Sequence, residues 1–388
     1  MINRETLAFI CSRIGVTTTF LSQRTSFPEE KIREWLTVDG TAYPTISQAK
    51  LLAKALRVPF AGLYMSKDSI NLKHLPNLRN LRTMPDGVAI DDSALNLAIV
   101  DLVRARDFLV SSEAELGLPN VPLSLPNTSD DLTAAEYAKV IRSFFGLELG
   151  AQFKAASTRQ FYLYVRGKIE NRGVFVHCFA GLAVEAVRGI AIFDEANPII
   201  GINDVDRYPA KTFSIIHELV HILRHQSTLC NDMYSSFSLH NEEVLCNAVA
   251  GEVLVPAASL MASFDAHNTT RMTLDDIRAI SERFSVSKEV IARRLYDTGR
   301  FSRDEYDTFS SEIQQSFLLE RETERIARRG QAIPRNMSRE AVDKNSTAIC
   351  RVLLLGYGEG YFNKQDLSGL LGIKEKHIPR FIAEVTKW

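Results

Sequence analysis

Residues 213–223 read FSIIHELVHIL, and residues 241–256 read NEEVLCNAVAGEVLVP. The first stretch contains H-E-x-x-H, with Phe213, Ile216, Val220 and Leu223 marking an apolar stripe at helical spacing. Positions four apart on a helix lie one above the other, so His217 and His221 aim two imidazoles at one point. Glu218 is turned about 100° around the axis, which suits a group facing a metal-bound water rather than the metal itself. Zinc takes ligands at roughly 2.0–2.2 Å and keeps a position open for water, whose proton a nearby carboxylate accepts. With 8 His in 388 residues, chance supplies this pattern on the order of one hundredth of a time. Two solvated histidines on a surface helix are the plain alternative, and the apolar character of the other positions speaks against it.

A catalytic zinc wants a third protein ligand. His225 continues the i, i+4, i+8 series but lies about 12 Å along the axis from His217, too far to close the same site on a straight helix. A metzincin would have glycine at position 224 and histidine at 227, where this chain has Arg224 and Ser227. The second stretch is apolar on nearly every side after its first turn. There Glu243 and Asn247 share one face at i, i+4, so the carboxylate can bind the metal while the amide holds a histidine ring from behind. Glu252 is about half a turn out of phase with Glu243 and points elsewhere. Glu242, at the helix start, is the fallback ligand. A glutamate ligand makes the set His₂Glu, the gluzincin arrangement. Glu218 then serves as general base and passes its proton to the departing amine as general acid. In the loop at 226–240, Tyr234 and His240 are candidate oxyanion donors, weighed against ordinary surface roles.

The rest of the chain sets the frame. It carries 46 Lys+Arg against 47 Asp+Glu, so binding of nucleic acid by bulk positive charge is excluded. The five cysteines (Cys11, Cys178, Cys230, Cys246, Cys350) are scattered, with no C-x-x-C pair, so neither a disulfide framework nor a cysteine-based zinc site is indicated. No signal-peptide core and no apolar run of bilayer length is present, which reads as a cytoplasmic chain without a membrane role.

Short helices are expected over the first seventy residues. Leu7, Ile10, Cys11 and Ile14 form one stripe stopped by Gly15, and Phe20 and Leu21 belong to a second helix. Ser26 with Glu29, and Thr45 with Gln48, have capping-box spacing, with Pro59 as the final stop. Residues 71–91 read as a linker. Helices follow at about 92–116, from Thr133 to Gly146, and at 158–171. VFVHCF (174–179), RGIAIF (188–193) and PIIGI (198–202) read as three strands. Helices resume at 210–225, 241–255, 274–284, 288–297, near 303–328, and beyond 338. The expectation is an α+β chain, mainly helical, with a small sheet.

The two site stretches together resemble the ImmA/IrrE family of metallo-endopeptidases, which pair an H-E-x-x-H helix with a helix of the form E-x-x-A-N-x-x-A…L-x-P. The segment GIAIFDEANPIIGIN (189–203) is similar to what precedes the family's H-E-x-x-H, and YPTISQAKLLAKALRVPFAGLYM (43–65) resembles the Xre-type helix-turn-helix fused to many members. The likeness covers residues 1 to about 300. It implies that His217, His221 and Glu243 bind Zn2+ and that Glu218 is the base, with Cys246 standing where the family usually has alanine. Mn2+ or iron also suits such a set. The resemblance further implies a protein substrate, a partner transcriptional repressor cleaved on a stress or DNA-damage cue.

The expected organisation is an Xre-like helix-turn-helix domain at 1–70, a linker at 71–91, a gluzincin-like metallopeptidase domain at 92–265 and a helical region at 266–388. Residues 1–70 hold 9 Lys+Arg and 6 Asp+Glu, and the expected recognition helix carries Lys31 and Arg33 among Glu29, Glu30 and Glu34. Three carboxylates oppose the phosphate field, so DNA reading through Lys31 and Arg33 stands level with docking of a protein. The stretches 277–295 and 364–384 also resemble helix-turn-helix units, with packing as the favoured role. The competing reading of the whole is a DNA-binding or antitoxin-type regulator whose peptidase fold binds a partner without cleaving it. A homodimer stays open.

Overall fold

The computed structural model describes residues 1–37, 40–70, 92–118, 121–129, 131–230, 241–266, 272–327 and 335–386. Two units divide the chain: residues 1–108 with 179–183, and residues 109–178 with 184–388.

The first unit is helical. Helices Arg4–Ile14, Thr18–Thr25, Glu29–Leu36 and Ile46–Ala55 precede two short 3₁₀ turns, and helix Ser93–Glu115 contributes its residues up to Phe108. The expected stripe of Leu7, Ile10, Cys11 and Ile14 is buried, and Gly15 ends that helix at φ 73°. Trp35, Ile32, Leu52 and Leu63 fill the same core. Thr45 and Gln48 form the expected reciprocal cap. The Ser26/Glu29 cap does not form. Ser26 takes the left-handed conformation that closes the preceding helix, and Pro28 leads into the next helix without a side-chain cap. Glu29 instead accepts from the Thr18 hydroxyl at 2.8 Å. The expected linker at 71–91 lies outside the described residues.

The second unit is α+β. The three expected strands are β1 (Phe175–Phe179), β2 (Gly189–Ile192) and β3 (Ile199–Asn203), and a fourth, β4 (Thr228–Cys230), was not anticipated. Three residues are too few to show an alternating pattern. The sheet order is β1-β3-β2-β4, with β2 antiparallel to both β3 and β4. Helix Tyr208–Leu223 lies against β2 and β3 and against helices Thr158–Glu170 and Asn241–Leu254. Helices Leu149–Lys154 and Ala257–Ala266 were missed; the first is under two turns and the second follows directly on Pro256. The hairpin Leu274–Phe284 and Lys288–Asp297 buries Ile277, Ile280, Phe284, Val290, Ile291 and Leu295 in the main core, a packing role.

Helices Met337–Lys344, Thr347–Gly358, Lys364–Leu371 and Ile378–Val385 complete the unit. Asp343 ties them to the rest. Its carboxylate accepts from Arg159 Nε at 2.9 Å and from the hydroxyl of Tyr208, the first residue of the H-E-x-x-H helix, at 2.6 Å. The buried Arg166 guanidinium donates to the Asp343 carbonyl at 3.0 Å. Among the described residues, no single helix is long and apolar enough to cross a bilayer.

Candidate metal centre

Every residue from Ala210 to Leu223 is buried. A helix enclosed on all sides carries polar side chains only where a neighbour answers them, so Lys211, Thr212, Ser214, His217, Glu218 and His221 each call for a partner or a function. Lys211 donates to the Asp204 carbonyl at 2.8 Å and Thr212 to the Tyr208 carbonyl at 2.9 Å.

His217, Glu218 and His221 gather about Glu243. His217 Nε2 and His221 Nε2 are 3.2 Å apart. Glu243 Oε2 lies 3.1 Å from His217 Nε2, and its Oε1 lies 3.3 Å from His221 Nε2. A tetrahedral zinc with bonds of about 2.0–2.1 Å separates its ligand atoms by roughly 3.3–3.4 Å. The two nitrogens therefore already stand near the spacing of two corners of such a cage, with the Glu243 carboxylate spanning them through its two oxygens. Two imidazole nitrogens and a carboxylate oxygen are also donor types that suit zinc.

Glu218 sits behind this group. Its Oε2 accepts from the Thr228 hydroxyl at 3.3 Å, and its Oε1 is buried with no hydrogen-bond partner among the described residues. The space it occupies exists because residue 189 is glycine. A Cβ on Gly189 would lie 2.3 Å from Glu218 Oε1. Thus β2 supplies a gap for the carboxylate and β4 supplies its one donor.

The electrostatics follow from burial and proximity. Burial raises Glu218 to about 8, with His221 acting against the shift and the Glu243 charge adding to it. Burial drives His217 below its ordinary value and toward the neutral form. At His221 burial acts in the same direction, but contacts with Cys246 and Glu243 outweigh it and push the ring up to about 11. Burial resists ionisation of Glu243, yet hydrogen bonds from His217 and His221 hold its carboxyl well below the usual range. The cluster thus presents an ionised carboxylate to a place where positive charge is stabilised.

Surrounding residues hold the rings. Asn247 Oδ1 is 3.0 Å from His217 Nδ1, the relation its i, i+4 spacing from Glu243 predicts. Gln226 Oε1 is 3.3 Å from His221 Nδ1. Cys246 is buried with its sulfur 3.8 Å from the same nitrogen, so it touches the site as more than an inert replacement. His217, His221 and Cys246 form a buried group able to hold a metal ion. Cys246 reaches His221 through Nδ1, whereas the close approach to His217 and Glu243 is through Nε2. One ion cannot use both ring nitrogens of His221, and the shorter distances favour the Nε2 side.

The other sequence candidates are placed elsewhere. Glu242, the fallback ligand, is half-exposed and bonds to Gln226 and Arg224. Glu252 pairs with Arg294 and accepts from the Ala257 amide. His225 turns away at φ 57° and stacks on Phe193 with ring centroids 4.6 Å apart. Tyr234 and His240 lie outside the described residues. In the first unit, Arg33 pairs with Glu29 at 2.6 Å, and the Lys31 ammonium lies 5.6 Å from the Trp35 ring centroid. Sequence reasoning missed Gly189, Gln226 and Thr228, and gave Cys246 no part in the site. For Cys246 a signal was available in its i, i+3 spacing from Glu243.

Residues 171–296 match the family described as Peptidase_M78, the IrrE N-terminal-like domain. The matched stretch, 126 of 388 residues, contains β1 to β4, the H-E-x-x-H helix and the helix that bears Glu243. It supports a metallopeptidase-like function for this part of the chain. No curated protein matches the chain.

Proposed function

We propose that this chain is a zinc-dependent endopeptidase of gluzincin type. His217, His221 and Glu243 hold the metal, and Glu218 is the general base. The observation that carries this reading is a buried carboxylate with one oxygen left unpartnered among the described residues, set beside two imidazole nitrogens 3.2 Å apart and a carboxylate whose two oxygens lie 3.1 and 3.3 Å from them. Other buried polar atoms share that condition, but this one belongs to a carboxyl raised by burial and set beside His221 and Glu243, as a general base at a metal site requires. The match to the IrrE N-terminal-like family supports the same conclusion.

Bound there, zinc lowers the pKa of a water and polarises a peptide carbonyl. Glu218, with its unpartnered oxygen, would be the group that accepts a proton and hands it to the departing amine. Asn247 holds the His217 ring from behind, which keeps Nε2 aimed into the cluster. Manganese or iron suits the same three side chains.

The substrate on this reading is a partner protein, a transcriptional repressor, as the family resemblance implies. Residues 1–70 act as an Xre-like helix-turn-helix module. Docking the repressor suits them better than reading bases, because Arg33 is held by Glu29 of its own helix and Lys31 lies over Trp35.

The test joins metal content to cleavage. The wild-type protein, His217→Ala and Glu218→Gln are purified and assayed for zinc. Each is then incubated with candidate repressors, beginning with any encoded beside its gene, and fragments are identified by mass spectrometry. The wild type carries one zinc and cuts; His217→Ala loses the metal; Glu218→Gln keeps it and does not cut. A Glu218→Gln protein that cuts as fast as wild type overturns the assignment. A wild type that regulates without cutting supports the antitoxin-type alternative.

A further inference from the structure

The H-E-x-x-H helix ends in an unusual way for a helix without a terminal glycine. His225 takes φ 57°, its amide donates to the Ile222 carbonyl at 3.0 Å, and the Gln226 amide donates back to the His221 carbonyl at 2.9 Å. This pair of bonds is the Schellman stop. It anchors the Gln226 backbone directly to the residue whose ring its side chain also meets.

The Gln226 side chain has two neighbours, and together they fix its orientation. One amide atom lies 2.7 Å from Glu242 Oε1, and the other lies 3.3 Å from His221 Nδ1. An ionised carboxylate only accepts, so the NH₂ group must face Glu242 and the carbonyl oxygen must face the imidazole. That oxygen in turn demands a proton on Nδ1. With Nδ1 so engaged, Nε2 is the nitrogen left to meet a metal, and it lies 3.2 Å from His217 and 3.3 Å from Glu243.

We infer that Glu242 and Gln226 are a positioning pair that sets the tautomer and aim of His221. The inference rests on the reading of His217, His221 and Glu243 as metal ligands. The ligand helix thus does two things in its first turn. Glu243 faces the imidazoles directly, while Glu242 acts on one of them through the residue just past the end of the neighbouring helix. His217 needs no such relay, because Asn247 reaches it in one step at 3.0 Å. Arg224 shares Glu242 Oε1 at 3.3 Å and restrains the carboxylate from the other side. Cys246 offers a weaker acceptor to the same Nδ1. Removing Gln226 therefore hands the ring to a partner that holds it less well.

The experiment measures zinc affinity by chelator competition in wild type, Gln226→Leu, Glu242→Ala, the double variant and Glu242→Gln, with the thermal midpoint of each metal-free protein alongside. Outer partners of metal-bound histidines typically contribute roughly 10–100-fold in metal affinity, so Gln226→Leu is expected to weaken zinc binding by that much. Glu242→Ala weakens it less, and the double variant matches Gln226→Leu, because Glu242 acts only through Gln226. Glu242→Gln keeps an acceptor oxygen and recovers most of the affinity. Nitrogen-15 and proton shifts of the His221 ring in the metal-free protein give a second readout: the Nδ1–H is hydrogen-bonded and slow to exchange in the wild type and loses that protection in Gln226→Leu.

Fully additive effects, unchanged zinc affinity, or an affinity loss that merely follows the thermal midpoint would each overturn the relay. Should Gln226→Leu not fold, the contrast between Glu242→Ala and Glu242→Gln carries the test. A wild type that binds no zinc defeats the metal reading instead, and the ring shifts then decide the relay by themselves.

Discussion

Arg4 and Glu218 are both ionisable side chains in the interior, one in each unit, and they are used in opposite ways. Arg4 donates to the Thr37 carbonyl at 3.0 Å and to the carbonyls of Gly40 and Ala42, and its guanidinium lies 3.8 Å from the Tyr43 ring centroid. Every one of those contacts ties down the chain that follows the third helix. Among the described residues, Glu218 has one hydroxyl donor on one oxygen and nothing on the other. Burial alone therefore does not mark a functional charge. What separates the two is the neighbours: Arg4 meets backbone carbonyls and an aromatic ring, whereas Glu218 stands beside His221 and Glu243.

The largest effect that sharpens this contrast belongs to Glu218→Gln. Loss of a general base removes roughly 10²–10⁴-fold of rate, and peptide cleavage is expected to fall by that much. Stability should move the other way. Burial raises the Glu218 carboxyl from 4.5 to about 8, so the folded metal-free protein holds its proton where the unfolded chain has lost it. The associated stability is fully present below 4.5 and is lost as pH rises through about 8. Denaturant titrations of metal-free wild type should show that decline, of a few kcal/mol, and Glu218→Gln should flatten it.

Arg4→Met is the counterpart and should lower the stability of the first unit by about 3 kcal/mol, since hydrogen bonds from a charged donor contribute roughly 1.5–3 kcal/mol and several are removed together. Zinc affinity should not change. An Arg4 variant that loses metal instead would erase the distinction between the two charges.

Gly189→Ala probes the space around Glu218. The new Cβ would approach Glu218 Oε1 to 2.3 Å and its Cγ and Cδ to 2.8 Å. Overpacking of that kind typically costs roughly 1–3 kcal/mol, and displacement of the carboxylate should reduce cleavage at the same time. The double variant Gly189→Ala with Glu218→Ala should regain the stability but not the activity. Thermal unfolding of the two proteins separates crowding from any effect of alanine on β2 itself.

How much of this was legible beforehand follows from the range of each signal. The helical period alone brings His217 to His221 and sets Asn247 on the face of Glu243, because spacing within one helix fixes geometry to within a fraction of a turn. The convergence of Glu243 with the imidazoles was legible from residue type and phase, although it joins two helices. Three strands were visible from their β-branched runs. Gly189, Thr228 and Gln226 were not legible, since each depends on the position of β4 or on the place where a helix stops. That stop is set by His225, a residue type that gives little warning of a left-handed backbone. The Ser26 cap failed for the same reason: its spacing fitted a cap, but Ser26 was already closing the helix before it.

His225 supplies the smallest expected effect and the most direct check on the line drawn between structural and functional groups. It is the third histidine in the i, i+4, i+8 series, and on composition alone it competes for the metal. In the structure it is exposed, left-handed and stacked on Phe193 at 4.6 Å. Replacing it by glycine relieves a left-handed conformation worth roughly 1–2 kcal/mol. The change also removes a ring stack worth about 0.5–1.5 kcal/mol and adds chain entropy of about 0.5–1 kcal/mol to the unfolded state. These contributions nearly cancel, so the midpoint of unfolding in His225→Gly should stay within about 1 kcal/mol of wild type. Zinc affinity should stay within about twofold, because glycine preserves the Schellman stop and hence the placement of Gln226 over His221. A tenfold loss of zinc in this variant would mean that the third histidine belongs to the site after all, and that the helix end is not the passive scaffold its backbone bonds describe.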